Sequence, residues 1–266
     1  MKIIKTLAFV LVALAMAMPA AAQSARLYDQ DVKSLIEQSK KTYERFWDAM
    51  DSKLKNTTFK GPTGEWVVKQ VGEDYKTTIE VVEKRFADSY SASTEVGKIF
   101  TEATRIHNYV TQQGPSMKGA SEWQAHTNVL GQLAQAYGGT FPPTPGQAYR
   151  RYNDKEVIAA AKTIEQTSKQ FATAMDNAYK KDKAVPDAAR KAMVADVKLV
   201  GDNAKALGSA LGDKKPATAQ AAALLAQAKK VQDAFMAGSA SAALNPQWGG
   251  MREPLATVAA AFKQQY

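Results

Sequence analysis

No cysteine occurs among the 266 residues. That absence removes disulfides, thiolate-bound zinc, iron–sulfur clusters, covalently attached haem and thiol nucleophiles together. Histidine is nearly missing too, with two copies, His107 and His126, which leaves little material for an imidazole metal site or a catalytic triad. No Walker loop, no G-x-S-x-G elbow and no His-Glu-x-x-His pair is present. The Glu-x-x-His pairs that di-iron bundles place on two helices are absent as well. Long apolar runs are confined to the first two dozen residues. What remains is ordinary globular material: 45% hydrophobic, 23% charged, with a net charge of +9, too apolar for a disordered chain.

The N-terminus reads as an export signal over residues 1–22. Lys2 and Lys5 form a basic start, Leu7 to Ala17 carries no charge, and Pro19 precedes the A-x-A site Ala20-Ala21-Ala22. The run is about half the ~20 residues needed to span a bilayer, so cleavage near Gln23 is expected and a membrane anchor is not. No later stretch reads as a membrane span. Export without cysteine suits a periplasmic or secreted bacterial protein. With Lys2 and Lys5 gone, 33 basic residues face 26 acidic ones, a net charge of +7.

The rest of the chain reads as one unit written twice, at a shift of about 125 positions. That shift carries Phe46 onto Phe171, Ala49-Met50-Asp51 onto Ala174-Met175-Asp176, and Trp123 onto Trp248. It also lays the stripe Val96, Ile99, Ala103, Ile106, Val110 over Ala221, Leu224, Ala228, Val231, Phe235. Asp74 and Lys76 match Asp196 and Lys198 at a shift of 122, which implies a loop-length change between the copies. Apolar residues recur at three- and four-residue steps throughout, as in Val32, Leu35, Ser39, Tyr43, Phe46 and Met50. Such stripes are the seams of antiparallel helices, and no stretch alternates as a strand does. The expected fold is therefore all-α: two tandem up-down four-helix bundles, residues 23–138 and 153–266, joined by a proline-rich linker over 139–152.

Punctuation supports the same division. Asn153 with Glu156 has capping-box spacing, and Asp29 or Asp31 can open the first helix. Asn56 to Pro62 reads as a loop, Gly114-Pro115 and Gly238-Ser239 as helix ends, and Asn245-Pro246 as a helix start.

Function has only a faint signature. Residues 23–138 hold thirteen aromatics and residues 153–266 hold six. Tyr43, Trp47 and Tyr109 become Ser168, Ala172 and Ala234 in the second copy, and Trp66 has no clear counterpart. Either the first bundle has a bulkier core, or Tyr43, Trp47, Trp66, Tyr109, His107 and His126 line a ligand-binding groove, where aromatic faces supply stacking area at low entropic cost. The leading reading is a non-enzymatic, exported binding or interaction protein of the bacterial envelope, with its contact surface in the first bundle. An envelope protein or an anionic envelope polymer suits the basic balance. Nucleic acid does not, because the charge is dispersed. One alternative is a cofactor- or metal-binding bundle or enzyme around His107 and His126. A haem held by Met50 and His126 fits helix order alone and is disfavoured, so no cofactor is expected. A structural spacer is the third reading.

Overall fold

A computed structural model describes residues 26–61, 64–87, 90–182, 185–237 and 241–266. The export segment over residues 1–22 lies outside them, as does the helix end at Gly238-Ser239. The fold is all-α with one small hairpin. Helices α1 (Asp29–Ala49) and α2 (Ser52–Lys55) lead into strands β1 (Thr58–Gly61) and β2 (Gly64–Val67). Helices α3 (Val68–Arg85), α4 (Ser93–Gln113) and α5 (Ala120–Ala136) complete the first half. The second half holds α6 (Asp154–Lys180), α7 (Asp187–Gly212), α8 (Thr218–Met236) and α9 (Ser241–Phe262).

The extensive helix packings all fall within a half. Helix α1 packs on α3 and α5, α3 on α4, and α4 on α5; in the second half α6 packs on α7 and α9, α7 on α8, and α8 on α9. Each half thus closes a ring of four long helices around its own core. The stripes read from the sequence face inward. Val32, Tyr43 and Phe46 are buried against Tyr75, Ile99, Ile106 and Leu130, while Val157, Ile164 and Phe171 meet Leu207, Leu224, Phe235 and Trp248.

Local chemistry sets the helix ends. The Asn153 side chain accepts from the Glu156 N–H at 2.7 Å, and the Glu156 carboxylate accepts from the Asn153 N–H at 2.8 Å. The first helix opens at Tyr28 instead, whose N–H donates to the Asp31 carboxylate at 3.0 Å. Helices α5 and α9 end alike: Gly138 and Gly139 donate to the carbonyls of Gln135 and Ala134, as Lys263 and Gln264 do to Ala260 and Ala259. These are the paired bonds of a Schellman stop.

Two expectations are corrected. The stretch after Asn56 is more than a loop, since β1 and β2 pair antiparallel with Phe59 opposite Trp66. Thr57, Thr58 and Phe59 favour extended backbone, the glycines at 61 and 64 discourage a helix, and the Phe59–Trp66 cross-strand pair, 4.8 Å between centroids, holds the ribbon. Trp66 therefore sits on a strand rather than at the start of a helix. Helix α9 begins at Ser241, ahead of Pro246, which lies inside it.

Val68, Val71, Gly72, Tyr75, Thr78, Ile79 and Val82 are the buried residues of α3, and Val197, Val200, Gly201, Ala204, Leu207, Ala210 and Leu211 those of α7. A Cβ on Gly72 would collide with Trp47 and Tyr43, and one on Gly201 with Ser168. Both glycines let the second helix of a half approach the first.

The halves meet through reciprocal polar contacts. Arg26 Nη1 bonds Asp154 Oδ1 at 2.5 Å and Arg151 Nη2 bonds Asp29 Oδ1 at 2.6 Å. Arg26 also donates to the Tyr152 carbonyl and Arg151 to the Leu27 carbonyl. The Asp29 N–H donates to Asp154 and the Asp154 N–H to Asp29. In each of these three pairs the second contact is the first with both residues moved to the partner position, 125 away. The contact is related to itself as in a two-fold dimer.

Candidate functional site

The six residues singled out from the sequence divide into two settings. Tyr43, Tyr109 and His126 are core residues, with 1%, 1% and 0% of their surface exposed. Trp47, Trp66 and His107 are half-buried. No single groove gathers all six.

His126 anchors a buried polar knot. Its Nδ1 lies 2.8 Å from Thr42 Oγ1 and its Nε2 2.7 Å from the Tyr75 hydroxyl. The Thr42 hydroxyl also lies 2.8 Å from the Gln38 carbonyl, which can only accept. The network therefore assigns the imidazole proton to Nδ1, donating to Thr42, while Nε2 accepts from Tyr75. Burial pushes the His126 pKa down to about 3, so the ring is neutral at physiological pH. Burial likewise raises Tyr75 well above the phenol range. With both ring nitrogens engaged, iron ligation by His126 together with buried Met50 would require dismantling this knot.

Tyr43 packs edge-on against Tyr75 at 4.7 Å and donates its hydroxyl to the Gly72 carbonyl at 2.8 Å. Trp47 stacks on Tyr43 at 6.0 Å and carries the Lys55 ammonium over its outer face at 5.0 Å. His107, on α4, accepts from the Trp123 indole N–H at 3.3 Å. Burial lowers its pKa too. The other edge of His107 meets Phe141 of the linker at 5.8 Å and borders a groove of about 610 Å³ with Gln124, Asn128 and Gln132. Amide side chains dominate that groove. Among the described residues, no group of three or more His, Asp or Glu could hold a metal ion, and no helix is long and apolar enough to cross a membrane.

The hairpin creates a different groove, of which the sequence reading names Trp66 but not Phe59, Pro143 or the rim on α4. It lays Phe59 and Trp66 across the outside of α4, with Phe59 edge-on to the buried Tyr109 ring at 5.6 Å. Tyr109 fastens this corner by donating to the Leu54 carbonyl at 3.3 Å. Trp66, Phe59 and Pro143 of the linker then form the apolar wall of a groove of about 260 Å³. Thr101, Thr104, Arg105 and Asn108, on one face of α4, form the polar wall. Those four recur at three- and four-residue steps, so the rim is a legible helical stripe. Its apolar half depends on a hairpin and a linker brought together only in three dimensions. No protein-family model, curated protein or solved structure matches this chain.

Proposed function

We propose that this chain is an exported, non-enzymatic binding protein of the bacterial cell envelope, and that its contact surface is the hairpin groove of the first half. In this reading residues 1–22 are a cleaved signal, and residues 23–138 and 153–266 are two copies of one helical unit joined by 139–152. The reciprocal Arg–Asp contacts, repeated at the same shift as the sequence blocks, support the duplication.

The observation that carries the binding reading is the half-exposed Trp66 face set opposite a rim of hydroxyl, amide and guanidinium groups on α4. Sugar rings stack on indole faces while their hydroxyls bond such a rim. Arg105 and the basic overall charge favour an anionic polymer. We therefore assign an anionic envelope polysaccharide as the partner. A catalytic or cofactor role at His107 and His126 draws less support, because His126 is neutral and its ring nitrogens are committed to Thr42 and Tyr75.

Co-sedimentation with purified anionic cell-wall polysaccharide, with neutral dextran as control, tests the assignment. The protein is expected to pellet with the anionic polymer only. Trp66→Ala is expected to abolish this, and Arg105→Gln to weaken it with an unchanged Tm. Equal pelleting of both variants and the parent, or no pelleting of the parent, overturns it.

A further inference from the structure

The junction between the halves holds a separate cavity of about 480 Å³, within the range of small-molecule sites. Arg26 with Arg151, Leu27 with Tyr152, Ala136 with Ala261, and Gly138 with Lys263 line it as pairs 125 positions apart. It therefore sits on the local two-fold relation of the reciprocal contacts. Four of its lining residues are cationic, Arg26, Arg150, Arg151 and Lys263, and none is acidic.

The nearby carboxylates are already committed. Asp29 and Asp154 each take one guanidinium and one opposing backbone N–H, and Glu156 takes Arg150 and the Asn153 N–H. Arg26 and Arg151 are 8% and 4% exposed, and each keeps a buried Nε–H with no acceptor among the described residues. Burial pulls the Arg26 guanidinium below its ordinary pKa against the attraction of Asp154, and Arg151 adds to the depression. Four cations thus face three carboxylates, which leaves Lys263 without a carboxylate partner and two buried guanidinium N–H groups without an acceptor among the described residues.

Lys263 supplies an independent sign. It stands at φ +52°, where the equivalent stop of α5 uses Gly138 at φ +75°. Glycine adopts that conformation without steric cost and lysine does not. The side chain held there reaches across the junction, donating to the Gln135 carbonyl at 2.9 Å. Lys214 takes the same conformation at the stop of α7, so what sets Lys263 apart is the reach of its side chain across the junction rather than the backbone alone.

We propose that the junction cavity binds a small organic anion, a carboxylate or phosphate monoester with a short apolar body. Arg150 and Lys263 hold the charged head at the mouth, the buried Arg26–Arg151 pair supplies positive field from below, and Leu27, Ala136, Ala260 and Ala261 contact the apolar part. This site is independent of the hairpin groove.

Isothermal titration of the full chain with benzoate, phenyl phosphate, inorganic phosphate and the neutral isostere benzamide tests it. At least one aromatic anion is expected to bind, more tightly than inorganic phosphate, and benzamide is not. Benzoate outbinding phenyl phosphate assigns a carboxylate ligand, and the reverse order a phosphate. Arg150→Gln is expected to weaken binding roughly tenfold at an unchanged Tm, about 1.4 kcal/mol. Lys263→Gly is expected to weaken it as much while raising the Tm, which separates loss of the site from loss of the fold. Trp66→Ala is expected to bind these anions normally, so failure here and failure at the groove are distinguishable. The proposal is overturned if no anion binds at roughly 10 mM, weaker than the millimolar end of the affinity scale, if benzamide binds as well as benzoate, or if both Arg150→Gln and Lys263→Gly bind like the parent.

Discussion

His126 shows how a residue's chemistry is set by neighbours remote in sequence. Its ring is neutral and fully buried, with a pKa near 3, against about 6.5 for an exposed imidazole. On acidification the unfolded chain takes up the proton first. The contribution to stability is therefore complete above about pH 6.5 and is lost as pH falls toward 3, at about 1.4 kcal/mol per unit. Urea unfolding at pH 7.5 and pH 5.0 should show the parent losing about 2 kcal/mol more than His126→Gln, which cannot titrate. Parallel pH profiles for the two proteins would mean that the native ring is solvated. None of this was legible from the fourth-helix stripe, because Thr42 and Tyr75 arrive from two other helices. Tyr43 was more legible: it occupies a stripe position and is core. Trp47, four residues on and off that stripe, is half-buried.

At the scale of elements, capping could be read directly and strand pairing could not. The Asn153–Glu156 box uses residues three apart, a spacing that chain geometry fixes without tertiary help. Asn153→Ala removes the acceptor for the Glu156 N–H and is expected to lower the free energy of unfolding by about 1 kcal/mol, measured by chemical denaturation. A change within error would show that water replaces the cap. The hairpin strands are four residues each, too short for alternation to stand out. Their stability comes from Phe59 packing on Tyr109, a contact between separate elements. The close approaches at Gly72 and Gly201 were equally out of reach, because Trp47, Tyr43 and Ser168 come from a different helix.

For the whole molecule, the decisive feature is a junction built from two equivalent ion pairs. Arg26→Leu leaves Asp154 without its guanidinium at a site where water is largely excluded, and is expected to cost about 3 kcal/mol. Arg151→Leu, which strands Asp29, should cost a similar amount. Chemical unfolding of both variants tests the equivalence, and a near-zero cost for one beside a large cost for the other would contradict it. The same junction explains why two separate cores make one molecule. The helices of each half spend most of their apolar faces on one another, so the halves are joined by charge pairs, capping carboxylates, the linker and Tyr28, which packs on the second core and accepts from the Ala217 N–H at 2.8 Å. Arg26-x-x-Asp29 and Arg151-x-x-Asp154 stand 125 positions apart in plain view, yet identical spacing alone does not reveal that each arginine reaches the other half's aspartate.

The sequence by itself determined helix identity, the inward faces, the Asn153 cap and the division into two similar stretches, because periodicity and capping act between residues one or two turns apart. Only the tertiary structure decided which aromatics are core, where the hairpin lies, and that four cationic side chains converge between the halves. Those outcomes depend on contacts between positions remote in sequence, whose cost and direction are set by packing and burial rather than by local pattern.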